Sequence, residues 1–348
     1  MRVLHVVDSL ERGGQETFLV DLAITQKAMG HTVGIFCISS EGVLAKKAKD
    51  NGIDVLSLSG NDNATENTLS ALKRLRREIN QYQPDAIHTH NRRPLFFTLI
   101  ASFSRCRKVV NTRHGRAVGG LYWTLGAIFA RRIINVSDDL FKQSSGFNRS
   151  FLRAKNRVIK NGIQIHSEVS QGLNVGSIIM VGRLNAVKNH LFALTVVRKC
   201  LDQGCAISLQ IVGDGPELQA IEQQIERLNL QQHVTLLGDR NDVDKLLVNA
   251  DLFILPSLTE GHSIALLEAC AAGLPAIVSN VGGNGEIVQH SKTGFVIDLE
   301  DADGFASAIT TLINDRQQWS EMSKSTRHWV EDNASMQHCA EQYSDAYS

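Results

Sequence analysis

Short runs of β-branched and other apolar residues alternate with helical patterns along the whole chain. The runs of the first half lie at residues 2–7, 33–38, 86–88, 109–111 and 133–136. A second set follows at residues 178–181, 208–212, 234–237, 252–255 and 276–278. Strands that alternate with helices in this way are typical of parallel βαβ units. The pattern therefore predicts an α/β protein with two Rossmann-like domains, each a doubly wound parallel sheet.

The periodic pattern weakens between the two sets of runs, where polar residues and glycine replace it. A chain of 348 residues with 43% hydrophobic residues has room for two cores. We therefore predict an N-terminal domain over residues 1–165, then a hinge, and a C-terminal domain over residues 175–330. Trp329 and Tyr343 lie in a tail of helical character. They suggest that a C-terminal helix, at about residues 331–348, crosses back to the first domain.

The six cysteines are scattered, with no Cys-x-x-Cys pair and no regular spacing. This spacing predicts reduced thiols and neither a disulfide framework nor a zinc site. The N-terminus has the character of a buried strand and lacks the features of a signal peptide. We therefore expect a cytoplasmic protein.

The chain has no net charge, but its charges are divided unevenly. Residues 1–165 carry 25 Lys and Arg against 13 Asp and Glu, and the remainder carries 11 against 23. The two parts thus have formal charges of +12 and −12. Such charges can attract the two parts to each other, and a basic domain also attracts an anionic membrane or a phosphorylated acceptor. Both interpretations stay open.

Two apolar segments of the first half, residues 94–103 and 117–130, are each followed closely by basic residues. Neither reaches the roughly 18 to 20 apolar residues of a membrane-spanning helix. We predict a pair of core-packed helices, and the alternative is insertion into a membrane interface. In the alternative, lipid would contact Phe96, Phe97, Tyr122, Trp123 and Phe129.

Gly13-Gly14-Gln15-Glu16 follows the first predicted strand and opens a helix. Glycines at such a place allow the backbone to approach a diphosphate, and the helix start supplies positive potential. The segment lacks the Gly-x-Gly-x-x-Gly spacing of dinucleotide-binding proteins. A tight strand-to-helix turn explains two glycines about as well as a ligand does.

Histidines follow two predicted strands of the first half, at the edge where open α/β sheets bind their ligands. His88, His90 and Asn91 belong to one strand end and His114 to the next. A metal ion would need converging ligands. We expect His88 and His90 to face opposite sides of their strand, and therefore predict no metal site here.

In the second half, Gly182-Arg183 and Lys188 lie just beyond a strand. A rigid guanidinium and an ammonium group close together suit a departing diphosphate. Residues 211–216 form a further strand-to-turn junction, for which a plain loop and a nucleotide contact are both open.

Glu260 and Glu268 flank a Gly-His-Ser turn that can open a helix. Backbone amides at a helix start lack internal acceptors and attract anions. One carboxylate can hold sugar hydroxyls and the other a ribose, with the amides of residues 262–264 facing phosphate oxygens. The alternative is a capped helix that carries an ordinary solvated glutamate. Gly282-Gly283 adds a flexible loop at the same edge.

In their order along the chain, these motifs resemble family 4 of the retaining glycosyltransferases. The resemblance covers nearly the whole chain and is carried by residues 13–16, 88–90, 112–114, 158–162, 182–189, 212–216, 260–268 and 282–283. It implies the GT-B fold, in which two Rossmann-like domains face a central cleft.

The resemblance also assigns roles in donor binding. Arg183 and Lys188 would neutralise the donor diphosphate, Glu268 would bind the ribose, and Glu260 would orient the donor sugar. The remaining donor contacts would come from Gly14, Arg240, Gly261, His262, Ser263 and Ile264. Of these, Gly14 would approach the phosphates from the first domain and Arg240 would line the base pocket.

The resemblance places His114 beside the donor sugar and the reaction centre, and His90 and Asn91 nearer the acceptor. The catalytic residues would then be His114, Arg183, Lys188 and Glu260. None of these motifs offers an obvious carboxylate nucleophile, so front-face transfer with retention is expected. Arg183, Lys188 and helix-end amides would stabilise the growing phosphate charge. No metal and no cofactor are expected.

The expected activity is transfer of a sugar from a nucleotide sugar, specifically a UDP-sugar, to a glycan or lipid-linked acceptor. The expected role is in bacterial surface polysaccharide or lipopolysaccharide synthesis, at the inner face of the cytoplasmic membrane, with no nucleic-acid partner. Two alternatives stay open. A nucleotide-sugar epimerase would need no acceptor, and a non-catalytic sugar-binding protein would bind without transfer.

Overall fold

The computed structural model describes residues 1–57, 68–115, 126–143, 153–172 and 176–348. The chain forms two compact units. The first unit comprises Met1–Gly162 together with Met336–Ser348, and the second comprises Ile163–Ser335. Each unit is built on one parallel sheet with helices, so the prediction of two Rossmann-like domains is confirmed.

The first unit contains a seven-stranded parallel sheet in the order β3-β2-β1-β4-β5-β6-β7. Its strands are β1 (Arg2–Val7), β2 (Thr32–Cys37), β3 (Asp54–Ser57), β4 (Ala86–His90), β5 (Val109–Arg113), β6 (Arg132–Asn135) and β7 (Asn156–Val158). Its described α-helices are α1 (Gly14–Ala28), α2 (Ala45–Asp50), α3 (Thr68–Tyr82), α4 (Arg92–Ala101), α5 (Asp138–Lys142) and, at the end of the chain, α13 (Met336–Tyr347). A 3-10 helix spans Phe103–Lys108.

The second unit contains a six-stranded parallel sheet in the order β10-β9-β8-β11-β12-β13. Its strands are β8 (Ser177–Val181), β9 (Ser208–Val212), β10 (Val234–Gly238), β11 (Leu252–Leu255), β12 (Ala276–Ser279) and β13 (Gly294–Ile297). Its described α-helices are α6 (His190–Asp202), α7 (Leu218–Arg227), α8 (Val243–Val248), α9 (Ile264–Ala271), α10 (Asn284–Ile287), α11 (Ala302–Asn314) and α12 (Arg316–Asn333). A 3-10 helix spans Ala186–Lys188.

The central strands are buried on both faces, which explains their continuous apolar runs. In β1, Leu4 and Val6 pack into a cluster on one face of the sheet, with Phe36 of β2. Val7 joins a separate cluster with Leu19 of α1 and Ile35 of β2. Neighbouring side chains of a strand point to opposite faces, so helices on both sides of the sheet are needed to cover them.

Three strands were not predicted from the pattern: β3, β7 and β13. All three lie at an edge of their sheets. Their side chains are less buried than those of the central strands, and β7 has no buried residue. An edge strand covers little core, so its sequence lacks a strong apolar run.

The first apolar segment forms α4, which buries Pro94, Leu95 and Leu99 in the core as predicted. In the second apolar segment, Ala127 is buried and Phe129 is exposed. Tyr122 and Trp123 lie outside the described residues. Within the described ranges, no helix combines the length and the apolar character needed to cross a bilayer.

The C-terminal tail divides between the two units. Trp329 lies in α12, which belongs to the second unit. Tyr343 lies in α13 and is fully buried in the first unit, where α13 packs against α1. The predicted return of a C-terminal helix to the first domain is therefore confirmed for α13.

Candidate functional site

The order of the strands in the second unit marks where a ligand can bind. β8 and β11 are neighbours in the sheet although β9 and β10 lie between them in the chain. The chain thus leaves these two strands in opposite directions across the sheet. The crevice at the carboxyl ends of such a pair is the usual ligand site of open α/β sheets. Gly182-Arg183 follows β8, and Glu260 lies in the loop after β11.

The loop that carries Arg183 is packed closely against the loop after β9. A Cβ atom on Gly213, which has φ +139°, would lie 2.0 Å from the carbonyl oxygen of Gly182. A Cβ atom on Gly215 would lie 2.4 Å from the carbonyl oxygen of Leu184. Both glycines are therefore required by loop packing, so this junction supports the Arg183 loop and its glycines need no nucleotide to explain them.

The loops after β8 and β11 are joined by hydrogen bonds. The backbone N of Leu258 donates to the carbonyl oxygen of Val187 at 2.8 Å. Asn189 adopts a left-handed conformation, with φ 59°, and its Nδ2 donates to the carbonyl oxygen of Pro256 at 3.2 Å. These bonds hold Lys188 beside the second loop.

Lys188 and Glu260 form an ion pair in which Nζ lies 2.6 Å from Oε1. Only 18% of the lysine side chain and 10% of the glutamate side chain are exposed. Ser257 Oγ donates a further hydrogen bond to the same carboxylate oxygen at 2.7 Å. Arg183 is exposed, and it forms no ion pair with any residue in the described part of the chain. In this site, the ammonium group of Lys188 is thus paired with a carboxylate, whereas the exposed guanidinium of Arg183 can bind an anionic ligand.

The loop after β12 completes this group of strand ends. Gly282 has φ +54°, and a Cβ atom there would lie 1.9 Å from the carbonyl oxygen of Glu260. The backbone N of Gly283 donates to the carbonyl oxygen of Gly261 at 2.9 Å. Only glycine at position 282 allows the two loops to approach this closely.

Helix α9 begins directly after this loop. Ser263 caps it, because its Oγ accepts a hydrogen bond from the backbone N of Leu266 at 3.4 Å. His262 is buried before the cap, and Ile264 opens the helix. Glu268 follows one turn later and is partly buried. The amides of the first turn have no acceptor within the helix, so this end suits an anion.

Arg240 lies apart from these strand ends in the sheet. It follows β10, the edge strand, which β9 separates from β8. Its guanidinium donates to both carboxylate oxygens of the half-buried Asp242, at 2.8 and 2.7 Å. The structure therefore groups Arg183, Lys188, Glu260 and the start of α9, but it joins Arg240 to an acidic neighbour.

The predicted residues of the first unit meet at the equivalent place, beside β1 and β4. Gly14 opens α1 and is exposed. Asn91 follows β4 with φ 68° and ψ −169°, a conformation that L-residues seldom adopt. Its side chain donates to Oε1 of Gln15 and accepts from the backbone N of His114 at 3.3 Å. The strained turn thus links the starts of α1 and α4 to the end of β5.

The expectation that His88 and His90 face opposite sides of β4 is wrong. Their ring centroids are only 4.2 Å apart. Side chains alternate along a strand, so residues two positions apart share a face. His90 Nδ1 lies 3.1 Å from Nε2 of His114, and His90 Nε2 lies 3.2 Å from Nδ1 of His5.

Five further side chains belong to this cluster: His5, Gln26, Thr112, Tyr343 and Tyr347. Sequence reasoning did not single out His5, Gln26 or Tyr347, and it gave Thr112 and Tyr343 no part in this network. His5 Nε2 donates to Oε1 of Gln26 at 2.9 Å, and Gln26 Nε2 donates to the hydroxyl of Tyr347 at 2.9 Å. The sequence did contain one indication that His5 is special, because it is a polar residue within the apolar run of β1. No local pattern points to Tyr347, which comes from the far end of the chain.

The cluster continues on the other side of Tyr347. Its hydroxyl lies 2.8 Å from Nδ1 of His88, whose Nε2 lies 2.8 Å from Oγ1 of Thr112. Thr112 Oγ1 lies 3.1 Å from the hydroxyl of Tyr343. Helix α13 thus supplies two hydroxyl groups to a buried polar network in the first unit.

Burial governs the charge of these histidines. It lowers the pKa of His5 to about 4 and the pKa of His114 to about 3. Burial also lowers the pKa values of His88 and His90 well below the ordinary value, and the neighbouring imidazoles lower them further. All four imidazoles are therefore neutral at pH 7.

Ring nitrogens of His5, His88 and His90 lie within 4.8 Å of one another, an arrangement that could hold a metal ion. All six ring nitrogens of these histidines already have hydrogen-bond partners. A metal ion would have to replace several of these bonds without any carboxylate in the cluster. The donor set fits a hydrogen-bond network better than a metal site.

Two family models match the chain and together span residues 12–329. The glycosyltransferase family 4 model matches residues 12–166, and the model of glycosyl transferases group 1 matches residues 165–329.

Among curated proteins, UDP-Gal:alpha-D-GlcNAc-diphosphoundecaprenol alpha-1,3-galactosyltransferase of Escherichia coli is 35% identical over 46% of this chain and 45% of its own length. The putative glycosyltransferase EpsF of Bacillus subtilis is 26% identical over 80% of this chain and 79% of its own length. The chain thus spans less than half of the first relative and most of the second.

The same fold occurs in a solved structure, Anabaena HepE in complex with UDP and glucose. The match has a TM-score of 0.83 and 21% identity, and it covers 99% of this chain and 98% of the HepE chain. Two parallel-sheet units, the matched fold and the two adjoining family models agree. The chain belongs to family 4 of the glycosyltransferases, the glycosyl transferases group 1, and has their GT-B fold.

Proposed function

We propose that this protein is a retaining glycosyltransferase that moves a sugar from a UDP-sugar to a glycan or lipid-linked acceptor. The observation that carries the proposal is the grouping of Lys188, Glu260 and the start of α9 at the carboxyl ends of β8 and β11. HepE, which has the same fold, was solved with UDP and glucose. This supports a UDP-sugar as the donor.

The geometry suits the chemistry of a departing nucleoside diphosphate. Arg183 is exposed at the strand end. The side chain of Lys188 packs against the neighbouring Gly182, and its charge is balanced by Glu260. Positive groups and amides held in place before the reaction stabilise charge that grows during bond breaking, without further reorganisation. We assign this role to Arg183, Lys188 and the amides at the start of α9, and the binding of sugar and ribose to Glu260 and Glu268.

A carboxylate nucleophile is not needed in this mechanism. Glu260 is engaged by Lys188 and Ser257, which favours a binding role over nucleophilic attack. In front-face transfer, the leaving phosphate removes the proton of the acceptor hydroxyl while the acceptor adds to the same face of the sugar. The sugar would then keep its anomeric configuration, and no metal would be required.

We assign acceptor binding to residues of the first unit. His114, His90 and Asn91 lie together at the ends of β4 and β5, and we assign them to the sugar and the acceptor. The Escherichia coli relative is named for transfer to a diphosphoundecaprenol-linked sugar. This supports a lipid-linked acceptor and a role in polysaccharide or lipopolysaccharide synthesis in the cytoplasm.

An apolar and basic patch of the first unit supports contact with an anionic membrane. Phe103 and Phe129 are 57% and 41% exposed, and their ring centroids lie 5.1 Å apart. Ile100, three positions before Phe103 in the chain, is also exposed. Arg105, Arg107 and Lys108 follow in the same segment. Exposed aromatic rings flanked by basic residues are typical of surfaces that lie on a membrane.

The test is a screen of nucleotide sugars, read out by nucleotide release and followed by mass measurement of the product. We expect release from a UDP-sugar that depends on an added glycan or lipid-linked acceptor. Conversion of the donor without acceptor would indicate an epimerase instead. Binding of a donor with no transfer to any acceptor would indicate a non-catalytic protein.

A further inference from the structure

The buried polar network of the first unit forms one continuous series of hydrogen bonds. We call this series the histidine relay; its members, in order, are His114, His90, His5, Gln26, Tyr347, His88, Thr112 and Tyr343. The donor–acceptor distances along it run from 2.8 to 3.2 Å. Among these members only His114, at one end of the series, is partly exposed.

A neutral imidazole has one N–H donor and one unprotonated acceptor. In the relay, His5 and His90 each use both ring nitrogens. If one nitrogen of such a ring must donate, the other must accept. The direction of a single hydrogen bond therefore determines the direction of all the bonds between these neutral rings.

Gln26 supplies the direction, because the two ends of its side-chain amide are chemically different. Its Oε1 can only accept, so His5 must carry its proton on Nε2. His5 Nδ1 then accepts from Nε2 of His90. His90 Nδ1 in turn accepts from Nε2 of His114.

We propose that Gln26 is a positioning residue that fixes the tautomer of His114, with the proton on Nε2 and the lone pair on Nδ1. Within the described residues, no hydrogen-bond partner lies at Nδ1 of His114. The relay leaves this nitrogen as an acceptor. If the amide of Gln26 were reversed, every bond to His114 would reverse and Nδ1 would become a donor.

The same amide directs the other branch of the relay. Gln26 Nε2 donates to the hydroxyl of Tyr347, which leaves the proton of Tyr347 for Nδ1 of His88. His88 then donates from Nε2 to Thr112. Because α13 carries Tyr347, docking of this helix helps to keep the amide in one orientation.

For catalysis, this inference rests on the proposed function. If His114 lies beside the sugar, its Nδ1 would accept a hydrogen bond from a hydroxyl group of the donor or acceptor. A hydroxyl presents both a donor and an acceptor, but only its proton can satisfy Nδ1. The tautomer would thus select the orientation of that hydroxyl.

The test is proton–nitrogen correlation spectroscopy on the full chain with isotope-labelled histidine, which distinguishes protonated from unprotonated ring nitrogens. His114→Asn identifies the signals of His114 by their loss. We expect His114, His90 and His5 to carry their protons on Nε2. In Gln26→Met, which removes the amide, we expect His114 to populate both tautomers.

Thr112→Val is the matched control, because it breaks the bond of Thr112 to His88 and leaves Gln26 and Tyr347 in place. We expect altered ring signals for His88 and unchanged ones for His114. A proton on Nδ1 of His114 in the natural protein would overturn the proposal, whether or not Gln26→Met folds. Unchanged signals of His114 in folded Gln26→Met would overturn it as well. The spectra need no donor or acceptor, so they are independent of the transferase test.

Discussion

Lys188 Nζ lies 2.6 Å from Oε1 of Glu260 in a pair that is largely withdrawn from solvent. The two residues are held at the ends of the neighbouring strands β8 and β11. The carboxylate keeps the ammonium group in place and offsets its charge. Under the proposed function, a diphosphate would share the ammonium group, and the second carboxylate oxygen would be left for a sugar hydroxyl.

Lys188→Ala removes a charge that we assign to the leaving diphosphate. We expect kcat/KM to fall by roughly 100-fold to 1,000-fold, the effect of losing one transition-state donor. The measurement is steady-state nucleotide release. Lys199→Ala is the matched control, because Lys199 also pairs with a carboxylate of the second unit, Asp303, at 2.6 Å. Equal rates for both variants would remove Lys188 from the mechanism.

Glu260→Gln tests the carboxylate of the same pair. It leaves a mostly buried ammonium group without its partner, so we expect a loss of about 1 to 3 kcal/mol in the free energy of unfolding. Asp303→Asn removes the carboxylate of the exposed pair with Lys199, for which about 0 to 1 kcal/mol is expected. Urea unfolding of both variants gives the comparison. A smaller loss for Glu260→Gln than for Asp303→Asn would contradict the structural role of the pair.

Gly282→Ala should disturb the site through the backbone. Alanine at φ +54° is strained by about 1 to 3 kcal/mol, and its Cβ would overlap the carbonyl oxygen of Glu260. We expect a lower thermal midpoint and weaker donor binding, measured by calorimetry. Gly285→Ala is the control, since its Cβ would meet nothing within 4 Å. Unchanged donor affinity in Gly282→Ala would show that the close approach of the loops is dispensable.

The buried histidines make stability depend on pH. The unfolded chain protonates them below about pH 6.5, whereas folding lowers the pKa of His5 to about 4 and that of His114 to about 3. The unfolded state then binds more protons, so stability is full above pH 6.5 and is lost as the pH falls towards 4. We expect a loss of about 1.4 kcal/mol per pH unit for each such group.

Urea unfolding between pH 7.5 and 5 measures this dependence. His328→Gln serves as the control, because His328 is exposed on α12 and its loss should leave the profile unchanged. A stability that is constant over this range would show that the relay is protonated or open to solvent in the folded protein.

Membrane contact can be tested on the exposed aromatic pair. Replacing Phe103 and Phe129 by serine should reduce sedimentation with anionic vesicles, and high salt should reduce it further by screening the basic residues. Leu299→Ser, at an exposed apolar residue of the second unit, is the control. If the double variant sediments like the natural protein at low salt, this patch is not the contact surface.

The hydrophobic pattern predicted the two parallel sheets and their central strands, because a strand buried on both faces needs a continuous apolar run. It missed β3, β7 and β13, since edge strands bury less. The motifs at strand ends predicted which loops carry the candidate site. Turn residues and helix starts are local features, and the sequence alone shows them.

Only the tertiary structure decided which side chains meet. Lys188 and Glu260 are 72 positions apart, His5 and His90 are 85 apart, and Gln26 and Tyr347 are 321 apart. Such contacts depend on strand order, on register and on the return of α13 to the first unit, none of which is encoded in a local pattern. The sequence by itself thus determined the two parallel sheets and the loops that carry the candidate site. The pairing of its charges and the direction of its hydrogen bonds required the folded chain.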